Sequence, residues 1–156
     1  MEKDYIVSLF GHREIADLDM LEQCFLCQMQ KILDTYEHIT LLIGRNGEFD
    51  EHIASSIKRL QKRVGEERIT LTLVVPYSLK SLVYYEDYYD EIILPEELAR
   101  LHPKQKITKR NQWMVKNSDL VLAYLRNDHG GAYATVRYAL SIGKPVSYME
   151  RDTKDD

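Results

Sequence analysis

This chain of 156 residues has little of several things that whole classes of protein depend on. Two cysteines, Cys24 and Cys27, are too few for a disulfide scaffold, and the length is enough to bury a core without a structural metal. Seven glycines and four prolines exclude collagen-like and low-complexity chains. No apolar run reaches the ~18 residues of a membrane span. The charged start Met1-Glu2-Lys3-Asp4 has no leader-like apolar stretch behind it, so a cytoplasmic protein with no membrane partner is expected. A cationic excess is missing too. With 21 Lys and Arg against 25 Asp and Glu the formal charge is -4, and phosphate backbones are held mainly by clustered cations, so nucleic acid is expected to be an unlikely partner.

What is present is ordinary globular material, 44% apolar and 29% charged, which predicts one folded domain over residues 1–150 and a short tail over 151–156. Cys24 and Cys27 have C-x-x-C spacing but fall inside a periodic helical stripe. No second Cys or His pair stands at ligand spacing, so they read as packing residues and no metal site is expected.

Apolar periodicity alternates along the chain. Tyr5 to Phe10 is a β-branched and aromatic run ending at Gly11, and Leu18, Leu21, Phe25, Met29, Ile32, Leu33 and Tyr36 then recur at helical spacing. Ile39 to Ile43 reads as a second strand, Ile53 to Val64 as a second helix, and Ile69 to Val75 as a third strand closed by Pro76. Tyr84, Tyr85, Tyr88 and Tyr89, interleaved with acids, suit aromatic packing at a sheet edge, with a binding surface as the alternative. Glu91 to Leu94 suits a short strand. Thr108 is the expected N-cap of a helix through Ser118, followed by a strand over Asp119 to Tyr124, a helix over Ala132 to Ile142, and a last strand from Val146 to Met149. Strands alternating with helices predict an α/β fold: a Rossmann-like three-layer α/β/α sandwich with a mostly parallel sheet. In such sheets ligands gather at the carboxyl ends of the strands.

Three of those ends carry unusual chemistry: Gly11-His12-Arg13, Gly44-Arg45-Asn46-Gly47-Glu48-Phe49-Asp50, and Asn127-Asp128-His129-Gly130-Gly131. Glycine lets a ligand approach the backbone, and the N–H groups of a following helix favour anions. The competing readings are structural: tight αβ packing for the glycines, turn shaping for His12, and helix-dipole charges for Glu48 and Asp50.

The order of these motifs, with Arg110-Asn111-x-Trp113-Met114-Val115-x-Asn117-Ser118-Asp119 and Ala139-x-x-x-Gly143-Lys144-Pro145, resembles the YpsA-like branch of the SLOG superfamily, which also includes the DprA and LOG proteins. The resemblance implies a Rossmann-like pocket for a nucleotide or nucleotide-derived ligand, used either for sensing or for cleaving an N-glycosidic bond. The LOG pattern Gly-Gly-x-Gly-Thr-x-x-Glu departs here: Tyr133 stands for its third glycine and Arg137 for its catalytic glutamate. Nucleoside deoxyribosyltransferases, which Asn117 to Ala123 and Tyr138 to Val146 also resemble, place a glutamate before the equivalent glycine turn, and none is found here.

The leading expectation is therefore a regulatory binder of a nucleotide, ADP-ribose or NAD-like ligand. Gly11, His12, Gly44, Gly47, Phe49, Gly130 and Gly131 would surround the ligand, Arg13 and Arg45 hold its phosphate, and Asp50 accept ribose hydroxyls. The alternative is an N-glycoside hydrolase or transferase using Glu48 and Asp50 as paired carboxylates. No cofactor beyond such a ligand is called for. A homodimer is expected on symmetry grounds, and the tyrosine segment is the candidate protein-docking surface.

Overall fold

The computed structural model describes residues 4–78 and 82–150, the side chains of 82–84 excepted. The expected tail and the side chain of Tyr84 lie outside the described residues. The elements are β1 (Tyr5–Gly11), α1 (Leu18–Thr35), β2 (Ile39–Ile43), α2 (Glu48–Val64), β3 (Ile69–Val74), α3 (Leu82–Tyr88), β4 (Glu91–Ile93), α4 (Pro103–Lys116), β5 (Leu120–Tyr124), α5 (Gly131–Ser141) and β6 (Val146–Tyr148). A 3₁₀ turn, Glu96–Leu98, lies between β4 and α4.

The six strands form one sheet in the order β4-β3-β2-β1-β5-β6, and every neighbouring pair is parallel. The side-chain period of two divides each strand between two helical layers. Val7, Leu9, Leu41, Ile43, Leu71 and Leu73 pack with Leu21, Phe25 and Met29 of α1 and Ile53 and Ile57 of α2. Phe10, Leu42, Val74 and Val121 face the other way, toward Met114 and Val115 of α4 and Ala139 of α5. This is an α/β Rossmann-like three-layer sandwich, with the sheet parallel throughout.

The strand order reverses at β1. β2 leaves on one side of it and β5 arrives on the other, so a crevice opens between the carboxyl ends of β1 and β5. The register that sets this crevice pairs Gly11 with Tyr124.

One local expectation is corrected, the start of α4, and the tyrosine and cysteine readings can be placed. The helix expected from Thr108 starts at Pro103, where His102 Nδ1 accepts from the Lys104 N–H at 3.2 Å and proline occupies a first-turn position that needs no donor. Tyr89 is buried, its ring edge-on to Tyr88 at 5.1 Å and tilted to Tyr85 at 6.5 Å, so the tyrosine segment packs at the sheet edge beside β4. Cys24 is buried in the α1 side of the core, and Cys27, one turn further along the helix, is exposed.

Candidate functional site

The carboxyl edge of the sheet holds a cleft of about 540 Å³, lined from β1 and its loop by Gly11, His12 and Arg13, from β2 and α2 by Gly44, Asn46 and Asp50, from α4 by Ile107, Arg110 and Asn111, and from the last loop by Asn127, His129, Gly130 and Gly131. Three glycine-bearing strand ends, distant in sequence, thus border one hollow.

Gly130 has φ +92°, a left-handed conformation that a side chain adopts only with strain. It is the N-cap of α5 and supplies no side-chain acceptor for the first-turn N–H groups. A Cβ placed on Gly130 or Gly131 meets no other described atom within 4 Å, so these residues keep the helix start open toward the cleft rather than making room for a protein neighbour.

Gly11 and Gly47 serve a different purpose. A Cβ on Gly11 would lie 2.1 Å from Phe49 Cδ1, and Phe49 is 1% exposed, so Phe49 belongs to the core and not to the cleft wall. A Cβ on Gly47 would lie 2.6 Å from Arg13 Cα, and the Glu48 N–H donates to the Arg13 carbonyl at 2.8 Å. Gly47 therefore docks the loop after β1 onto the start of α2. Glu48 is exposed and outside the cleft lining, so the expected carboxylate pair is split: Asp50 reaches the cleft and Glu48 does not. Arg45 also departs from its expected role. Its guanidinium lies 4.6 Å from the Tyr85 ring centroid and beside the Tyr89 hydroxyl, whose pKa burial pushes up to about 12 against the pull of that cation.

Arg110 is the residue that the site reading missed. Only 2% exposed, it donates from Nη1 to the Val74 carbonyl at 2.9 Å and from Nε to Asn111 Oδ1 at 2.8 Å, while Nη2 reaches the Asn46 side-chain oxygen at 2.5 Å. It ties the ends of β2 and β3 to α4 beneath the cleft. A Cβ on Gly44 would lie 2.9 Å from Nη1, which explains the glycine there by the guanidinium rather than by a ligand. A signal was available in the chain: Arg110 shares a helical stripe with Ile107 and Met114, where a cation must bury or be paired.

Asp50 Oδ2 accepts from the Asn46 N–H at 2.9 Å. Burial raises the Asp50 pKa, with the Asn46 N–H and Arg110 pulling the other way. Burial lowers the Arg110 pKa, opposed by Asp50, and a guanidinium has enough margin to stay charged. Across the cleft His12 Nε2 accepts from the Arg126 N–H at 3.0 Å, and the Arg126 guanidinium stacks 4.0 Å above Tyr124. Burial lowers the His12 pKa, followed by the charges of His129 and Arg126. Trp113 lies away from this cleft, in a separate groove on α4. No group of three or more metal-ligating side chains occurs among the described residues, and none of their helices is long and apolar enough to cross a membrane.

No family model matches the chain, and no curated protein matches its sequence. Solved structures share its fold. DNA processing protein A from Helicobacter pylori, described for its single-stranded DNA binding mode, superposes with TM-score 0.63 at 12% identity over 96% of this chain and 66% of its own. DNA processing protein A (DprA) from Streptococcus pneumoniae gives 0.66 at 13% identity over 97% and 52%. The Moco Carrier Protein of Chlamydomonas rheinhardtii gives 0.54 at 18% identity over 94% and 76%. The chain thus spans about two thirds and about half of the two DNA processing proteins. The expectation that nucleic acid is an unlikely partner is overturned by these neighbours, since a protein of this fold is described for binding single-stranded DNA; net charge was too coarse a guide. These neighbours and this chain share a Rossmann-like α/β fold.

Proposed function

We propose that the chain binds a phosphate-bearing nucleotide or nucleotide-derived ligand, of the ADP-ribose or NAD type, in the cleft between β1 and β5, and that it belongs with the regulatory YpsA-like branch of the SLOG fold. The observation that carries this is the convergence of Gly11, Gly44 and Gly130-Gly131 on one cleft whose α5 start has no side-chain cap. The phosphate lies against the first-turn N–H groups of α5, with Arg13 at the rim supplying a counter-charge. Asp50, one oxygen engaged by Asn46, turns the other toward ribose hydroxyls. His12, with Nε2 accepting from Arg126, carries its proton on Nδ1 and offers a neutral donor. Arg45 is left out, because its guanidinium is taken up by Tyr85 and Tyr89.

Glycosidic-bond cleavage by paired carboxylates loses its geometric support, because Glu48 is outside the cleft lining. Thermal unfolding with AMP, ADP-ribose and NAD tests the binding reading: a ligand that binds only the native state stabilises it by about 2.7 kcal/mol at 100 Kd and so raises Tm. No shift with any of the three at millimolar concentration defeats it.

A further inference from the structure

The charge of this protein is unevenly placed. Between Ala99 and Ser118 lie six of its 21 Lys and Arg and none of its 25 Asp and Glu. Most of that stretch is α4, which has one face on the core and cleft through Ile107, Arg110 and Met114, leaving Lys104, Lys109 and Lys116 exposed. Lys109 and Lys116 are both exposed, seven residues or about 10 Å apart along the helix. Among the described residues neither makes an ion pair; Lys109 Nζ reaches only the Gln112 amide oxygen, at 3.4 Å.

Between these two cations sits Trp113, the chain's single tryptophan, four residues after Lys109 and three before Lys116. Packed on one side against the core beneath α4 and otherwise partly exposed, it lines a groove of about 280 Å³ with Lys109, Gln112, Lys116 and, from the 3₁₀ turn, Leu98. One carboxylate, Glu97, stands on the opposite wall. An aromatic face flanked by two cations at this spacing accepts a stacked base with a phosphate on either side. An acidic peptide without aromatic side chains has no planar group to stack on the indole.

The geometry points to the outer face of α4 as a docking surface for single-stranded nucleic acid, with Trp113 as the stacking platform and Lys109 and Lys116 as the phosphate contacts. The surface is separate from the cleft and does not depend on the function proposed for it. The negative charge of the other faces confines the strand to this helix and disfavours a duplex, which would have to approach them.

The test uses a 20-nucleotide oligo(dT) at low salt. Binding quenches Trp113 emission, and the Lys109→Glu/Lys116→Glu double variant weakens affinity at least tenfold and reduces the salt slope by about 1.4, the value for two lost phosphate contacts on a single strand. The same variant stays folded with only a small fall in Tm, from an acid replacing Lys116 in the last turn of α4, and keeps any Tm response to AMP or ADP-ribose because the cleft is untouched; this separates failure here from failure of the cleft reading. Absence of quenching, unchanged affinity in the double variant, or equal binding and quenching by poly-glutamate would each overturn the proposal.

Discussion

The backbone N–H of Arg126 donates to Nε2 of His12 at 3.0 Å, joining the turn after β5 to the turn after β1 across the point where the strand order reverses. Protonating Nε2 destroys that bond. Since burial and the neighbouring charges of His129 and Arg126 lower the His12 pKa, the folded state holds fewer protons than the unfolded one. The sign follows: nothing is lost well above 6.5, stability falls as pH drops through 6.5, and the loss is complete below the lowered folded value. Denaturant unfolding at pH 8 and pH 5 should show this fall in the wild type and a smaller one in His12→Gln, which keeps an acceptor but does not titrate.

Asp50 has the opposite linkage. Its pKa is raised by burial, so the folded state prefers the protonated acid, and its contribution is full at low pH and lost as pH rises through the folded value. Asp50→Asn, which keeps an oxygen for the Asn46 N–H, is expected to unfold at a higher denaturant concentration than wild type at pH 7. The difference should vanish toward the unfolded-chain value of 3.8.

Gly130 and Gly131 separate a backbone requirement from a ligand requirement. At φ +92° Gly130→Ala should cost about 1 kcal/mol through strain. Gly131 is the first residue of α5 and has no positive φ, and its Cβ position is open. Gly131→Asp should therefore preserve or raise Tm, since an acid suits a helix N-terminus, while repelling an anionic ligand by tenfold or more in calorimetric titration with ADP-ribose. Undiminished affinity would move the phosphate elsewhere.

Arg13 and Arg45 are both exposed arginines next to strand-end glycines, yet only Arg13 borders the cleft. Arg13→Gln should weaken AMP or ADP-ribose binding several-fold with little change in Tm. Arg45→Gln should leave binding intact and lower stability by about 0.5–1 kcal/mol, the scale of an exposed cation–aromatic contact, here with Tyr85.

Strand positions were legible because a buried parallel strand must be apolar on both faces: Ile39 to Ile43 has the same ends in the sequence and in the fold. The start of α4 was not, because its cap is the imidazole of His102, a residue with no capping preference that works here through its own Nδ1. Arg110 sat in plain view on an apolar stripe, but its partners Val74 and Asn46 are 36 and 64 positions away. No spacing rule reports such contacts. The same holds for the glycines: Gly11, Gly44 and Gly47 look alike in sequence, and only the neighbours Phe49, Arg110 and Arg13 show what each makes room for.

By itself the sequence determined the layering of this protein, since apolar period, turn glycines and strand length act over a few residues and leave a parallel α/β sandwich as the arrangement that buries every stripe. The tertiary structure alone decided which polar groups meet. Hydrogen bonds and close contacts across β1, β2, β5 and α4 depend on register and on helix placement, so Asp50 was brought to the cleft, Glu48 left in solvent, and Arg45 turned onto Tyr85 by geometry that no local pattern encodes.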